Sequence, residues 1–144
     1  MSVTWYVDER RHLRILHFAA DTTLVEMEAL IRRVAGKRED FATFDEVSLF
    51  ADLRALLRSG GPEEFALLMA HAYGVRPENR DALVAQSDVD FGLLRRYAAY
   101  RGTDDTRVRV FRTTADALRW VDVPEEALPG LLTICHRLAR GERP

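Results

Sequence analysis

Five short runs rich in β-branched and aromatic residues constrain the fold more than any other feature. The first two, at residues 3–7 and 13–18, are separated by only five mostly polar residues. Such a short link favours an antiparallel hairpin, because a parallel pair needs a crossover of about a dozen residues or more. Longer segments with helical spacing separate the later runs, which lie at 45–53, 80–86 and 106–111. This alternation favours crossover connections and parallel pairing.

We therefore predict an α/β fold with a single mixed, mostly parallel sheet of about five strands, an N-terminal antiparallel hairpin and covering helices. Apolar residues at helical spacing predict the helices, which cover residues 21–36, 62–74, 88–102 and 113–121, and a last helix over 124–141 that is interrupted near Pro129 and Gly130. In the strand at 13–18, Arg14 alternates with apolar residues, which indicates that one face of this strand is solvated.

The length of 144 residues suits one substantial core. We assign residues 1–123 to an α/β domain and residues 124–144 to a C-terminal helical extension. The apolar stripe of that extension either covers the same domain or forms a dimer interface, so a homodimer is one of the expected states. The net charge of -2 argues against a dedicated nucleic-acid or anionic-membrane binder.

The single cysteine, Cys135, excludes an internal disulfide and a cysteine-based zinc site. It also fits a reducing compartment. The beginning of the sequence lacks the pattern of a signal peptide, and no apolar run approaches the ~20 residues of a membrane span. We expect a cytoplasmic protein without a transmembrane segment.

The residue types that carry catalysis lack the spacing that catalysis needs. No two histidines stand three or four residues apart, and no nucleophile elbow or phosphate-binding loop is present. Cys135 and His136 are neighbours on a helix and point about 100° apart, so they cannot pair as thiolate and base. We expect no catalytic residue, metal or cofactor. An enzyme, as the least favoured alternative, would use Asp52, Ser59 and His71.

Arginine is concentrated in the segment from residue 95 to residue 119. If the helix and the strand of this segment are neighbours, their guanidinium groups share a face that suits an acidic partner protein. The candidate partner-binding residues are Arg95, Arg96, Arg107 and Arg109. The alternative is a solvated face with local ion pairs.

Two stretches resemble a known family. The strand "VSLFADLR", and "VRVFRTTADALRWV" after two further helices, resemble the STAS-like group of uncharacterised bacterial proteins. That group is similar in fold to anti-sigma-factor antagonists and is linked with the CRAL-TRIO lipid-carrier fold. The resemblance covers residues 3–121 and is carried by the D-L-R strand end at 52–54 and by Ala117, Trp120 and Val121.

The resemblance implies a non-enzymatic regulatory module that acts through protein contacts. In the family, a serine at a helix start accepts a phosphate, which places the candidate switch loop at Ser59, Gly60 and Gly61. Arg58 stands where the family motif has an aspartate, and Gly60 replaces its second hydroxyl residue. We therefore interpret this loop as a helix start.

The lipid-carrier resemblance implies an alternative function, the transport of a small apolar ligand. An apolar cavity would then open between the sheet and its helices. The candidate pocket residues are Phe65, Met69, Tyr73 and Trp120, which suit adaptable apolar contacts. Ordinary core packing is the competing interpretation of these four residues.

Overall fold

The computed structural model describes residues 3–35, 44–54, 63–64, 67, 79–100 and 107–144. The strands in these residues are β1 (Val3–Asp8), β2 (Leu13–Phe18), β3 (Asp45–Phe50), β4 (Asp81–Val84) and β5 (Val108–Phe111). The α-helices are α1 (Leu24–Ala35), α2 (Asp88–Tyr100), α3 (Thr114–Trp120) and α4 (Leu128–Ala139), and a 3₁₀ turn (Glu125–Ala127) precedes α4. Most of the helix predicted at 62–74 lies outside the described residues.

The strands form one sheet in the order β1-β2-β3-β4-β5. β1 and β2 are antiparallel, whereas β2, β3, β4 and β5 are parallel. The predicted α/β class, with a mostly parallel five-stranded sheet and an N-terminal hairpin, is confirmed. Each strand pairs with the one before it in sequence, so β1 and β5 are the two edges among the described strands.

One face of the sheet is covered by α1 and α2. Met27 of α1 and Leu94 and Tyr97 of α2 pack with the strand residues Leu16 and Leu83 in one apolar cluster. Leu94 and Tyr97 are each 1% exposed, because three-residue spacing puts both on the same side of the helix. The crossovers through α1 and α2 therefore lie on the same side of the sheet.

The opposite face is covered by α3 and α4. The apolar residues of α4 are Leu128, Leu131, Cys135 and Leu138, and they pack with Ile15, Val47 and Val84 of the strands and with Leu118 of α3. The Thr4 hydroxyl of β1 donates a hydrogen bond to the Leu138 carbonyl over 2.8 Å. The sheet is therefore the middle of three layers, and α4 reaches across to its first strand.

Hydroxyl side chains begin three of the helices. Ser87 accepts from the Asp90 amide over 3.1 Å at the start of α2. Thr23 accepts from the Glu26 amide over 3.2 Å ahead of α1. Thr113 accepts from the Asp116 amide over 3.2 Å at the start of α3. The last helix is interrupted at the 3₁₀ turn rather than at Pro129, because proline fits the first turn of α4 without losing a hydrogen bond.

Arg14 is buried, so the prediction of a solvated face on β2 is wrong. Its Nε lies 3.2 Å from Glu46 Oε2 on β3, and the two side chains are only 6% and 4% exposed. The Ser48 hydroxyl donates to the other Glu46 oxygen over 3.4 Å. The guanidinium also lies over the Phe44 ring, 5.6 Å from its centroid. A polar cluster thus joins β2 and β3 on the α1–α2 side of the sheet.

Candidate functional site

A groove runs along the edge strand β5, between that strand and α2. It encloses about 410 Å³. Its described walls come from one face of α2 and from three consecutive strand residues; they are Phe91, Arg95, Ala98, Ala99, Val108, Arg109 and Val110. The helical members stand four, seven and eight residues apart, which is the spacing of one helix face.

Two of the four candidate arginines meet in this edge groove. Arg95 and Arg109 are exposed and both line it. Within the described part of the chain neither forms an ion pair, although the Arg109 guanidinium lies over the Phe111 ring at 5.6 Å. The two cations are therefore available to an acidic group that enters the groove.

The other candidate arginines are engaged differently. Arg96 forms an ion pair with Glu63 over 3.2 Å. A hydrogen bond from Tyr100 lowers the pKa of the Glu63 carboxyl, and Arg96 lowers this pKa further by a smaller amount. Arg107 is half-buried, and its carbonyl accepts from the Asp81 amide of β4 over 2.7 Å. The four arginines therefore do not form one continuous face.

The main chain of β5 adds hydrogen-bonding capacity to the groove. The carbonyls of Arg107 and Phe111 accept from Asp81 of β4 and from Ala85 just after it, so the odd-numbered residues direct their main chain towards β4. Because main-chain direction alternates along a strand, the amide and carbonyl groups of Val108 and Val110 point to the outer edge. No described strand pairs with that edge.

Trp120, the described member of the predicted apolar pocket, lies elsewhere. The Arg80 guanidinium donates to the Trp120 carbonyl over 2.7 Å and lies over its ring at 5.8 Å. Arg80 directly precedes β4, so Trp120 lies near the amino ends of the parallel strands. Phe65, Met69 and Tyr73 lie outside the described residues, and the pocket stays a prediction.

The predicted switch loop is described only at its flanks. Ser59, Gly60 and Gly61 lie outside the described residues, as does His71. Asp52, just beyond the end of β3, accepts hydrogen bonds from the Arg54 side chain and amide, which lower the pKa of Asp52. Phosphorylation of Ser59 and the enzyme alternative therefore stay predictions.

Sequence reasoning missed the apolar floor and the edge position of this groove. The spacing of Phe91, Arg95 and Ala98 on one helix face was visible in the sequence. The pairing of β5 as an outer strand was not visible, because it depends on strand order.

The comparisons with known proteins leave the family open. The chain matches no family model, no curated protein and no solved structure. In the part of the chain that the structure describes, no helix has the length and apolar character to cross a membrane. Among the same residues, no three His, Cys, Asp or Glu side chains are grouped to hold a metal ion. The STAS-like resemblance stays a prediction.

Proposed function

We propose that the protein is a non-enzymatic, cytoplasmic binding module that takes up an extended acidic segment of a partner protein along β5. The observation that carries this proposal is the presence of Arg95 and Arg109 in one groove beside an edge strand. An extended peptide can add to such an edge through main-chain hydrogen bonds, while side-chain contacts supply specificity. The lone buried cysteine fits a reducing compartment.

The two arginines are placed for an extended peptide with two neighbouring carboxylates. The Arg109 side chain lies on the same side of the sheet as Phe111, which is the side that α3 and α4 cover. Arg95 belongs to α2, which covers the opposite face. Successive side chains of an added strand point to opposite faces. Two neighbouring carboxylates on the peptide would therefore meet different arginines.

A second copy of this chain is a less suitable occupant of the edge. Pairing β5 with another β5 would bring Arg109 of one copy close to the arginines of the other, and like charges across a strand pair destabilise it. Charged side chains on an edge strand also serve to prevent self-association. An acidic partner turns this repulsion into attraction.

The test uses a synthetic peptide of valine and threonine with two neighbouring glutamates at its centre, compared with the same peptide carrying glutamine for glutamate. We expect the acidic peptide to shift the backbone amide resonances of Val108 and Val110 in a saturable titration. N-methylation along one edge of the peptide should abolish binding, whereas methylation along the other edge should not, because only one edge pairs with β5.

Charge-reversal variants show whether the two arginines contribute to peptide binding. Arg95→Glu and Arg109→Glu should each weaken binding at least about fivefold, and the loss should shrink at high salt. Arg140→Glu changes the net charge equally at an exposed position just beyond α4 and serves as the matched control. Equal affinity of all three variants, or amide shifts centred away from β5, would refute the proposal.

A further inference from the structure

A second cavity, of about 360 Å³, opens at the carboxyl ends of the parallel strands. β2, β3 and β4 contribute His17, Leu49 and Val84 to it, and α4 contributes Cys135 and His136. It lies under α3 and α4, away from the edge groove. Ligands of α/β proteins commonly bind outside the carboxyl ends of parallel strands, and a volume of about 300–1,000 Å³ is usual for a small-molecule site.

Most of the residues that line this carboxyl-end cavity are apolar, and four of them carry hydrogen-bonding side chains. The apolar members include Leu49, Phe50, Val84 and Leu132. The hydrogen-bonding members are His17, Gln86, Thr114 and His136. None of the described residues that line the cavity is Asp, Glu, Lys or Arg. An ion entering it would lose hydration without gaining a permanently charged partner, so the lining favours an uncharged ligand.

His17 supplies the polar contact at the strand end. Its side chain is half-buried, and burial lowers the pKa of the imidazole, which is therefore neutral at pH 7. A neutral imidazole offers one donor and one acceptor. Within the described residues, the His17 side chain makes no hydrogen bond, so both nitrogens are open to a ligand.

Cys135 does not make this cavity a catalytic site. Burial raises the pKa of its thiol to about 11. The thiolate is the reactive form of cysteine, and it is almost absent at neutral pH. Cys135 therefore contributes a small, weakly polar wall beside Leu132 and His17.

We infer that the carboxyl-end cavity binds an uncharged organic molecule with a compact apolar body and one hydrogen-bonding group held against His17. This function is independent of peptide binding at β5, because the two sites share no lining residue. Trp120, the described residue of the apolar pocket that the sequence predicts, does not line this cavity. A ring system with an alcohol or amide group has the required chemistry.

The probes are 2-naphthol and 2-naphthamide, compared with naphthalene-2-carboxylate and 2-naphthylmethylamine on the same ring. We expect at least one uncharged probe to bind saturably. The NMR signals of the His17 ring and of the Leu49 and Val84 methyl groups report this binding. The carboxylate and the amine should bind at least about tenfold more weakly, because each must leave water without an ionic partner.

Four variants locate the site. Ala139→Trp and Ala51→Trp place a large side chain at exposed positions on the cavity wall, and each should abolish binding. Ala99→Trp fills the edge groove instead and should leave naphthol binding unchanged. His17→Leu should weaken the alcohol about fivefold, the usual effect of one lost neutral hydrogen bond, and affect naphthalene little.

Circular dichroism and urea unfolding establish that each variant is folded. Because Ala51 and Ala139 lie on different elements, one folded blocking variant is enough for the test. Binding that survives in a folded blocking variant would overturn the inference. So would equal affinity for the charged probes, or a failure of both uncharged probes to bind up to their solubility limits.

Discussion

The buried ion pair between Arg14 and Glu46 gives the sharpest prediction about stability. Replacing Arg14 with methionine keeps the length of the side chain but removes the guanidinium beside the Glu46 carboxylate, which is 4% exposed. Removing one partner of a buried pair typically costs about 3–5 kcal/mol. The free energy of unfolding of a domain is only about 5–15 kcal/mol, so this single change should remove a large share of the stability.

The assay is a double-mutant cycle by urea unfolding. Arg14→Met, Glu46→Gln and the double variant are compared with the unsubstituted protein. We expect the double variant to lose at least about 1 kcal/mol less than the sum of the two single changes, because residues in direct contact couple by about 0.5–3 kcal/mol. The Ser48 hydroxyl can still donate to the amide oxygen that Glu46→Gln introduces in place of the carboxylate.

The exposed pair of Arg112 and Asp88 is the matched control. Their side chains are 49% and 90% exposed, so the same cycle should give a coupling of about 0–1 kcal/mol. A cost below about 1 kcal/mol for Arg14→Met would refute the reasoning. A coupling equal to that of the exposed pair would refute it as well, since burial is the reason for the difference.

Four further predictions concern single side chains. Leu138→Ala, at a residue that is 0% exposed, should destabilise the fold by about 2–5 kcal/mol in urea, whereas Val25→Ala, at a residue 76% exposed, should change it by less than about 0.5 kcal/mol. Thr113→Ala should cost about 1 kcal/mol through loss of the α3 cap, and Thr113→Ser should restore most of it. Because burial lowers the pKa of His17, the unfolded chain binds more protons below pH ~6.5. Stability should therefore fall as the pH drops below that value, and His17→Leu should flatten the fall. Cys135 in the native protein at pH 8 should react with iodoacetamide at least about 100-fold more slowly than in the unfolded chain, because its pKa of about 11 lies about two units above the usual value. A native rate equal to the unfolded rate would contradict its burial.

The strands and helices were predictable because their signals are local. The strand from Leu13 to Phe18 begins and ends at the predicted residues, and the helix predicted from residue 88 begins at Asp88. Strand alternation and helical spacing report which side chains share a face. They do so without knowledge of the neighbouring elements.

Arg14 marks the limit of that reasoning. A strand with a charged residue between apolar ones is typical of a solvated face, but alternation does not report what covers the strand. The partner of Arg14 is Glu46, 32 positions away on the next strand. Only the parallel register of β2 and β3 brings the two together.

The sites were harder to predict than the elements. Arg95 and Arg109 were among the four candidate arginines because all four are close in sequence, but nothing in the sequence separated these two from Arg96 and Arg107. The edge position of β5 depends on strand order, which is a property of the whole sheet. His17, Val84 and Cys135 meet only because three parallel strands end together under α4, and no spacing in the sequence contains that information.

The long-range bond between Thr4 and Leu138, 134 positions apart, has a consequence for synthesis. Neighbouring strands pair in sequence order, so the sheet can grow as the chain leaves the ribosome. In the folded protein α4 covers one side of the first hairpin. That side, however, stays open to water until residue 138 has been added to the chain. A nascent chain stalled before that point presents an uncovered apolar surface, and it is the form that chaperones and proteases are best placed to recognise.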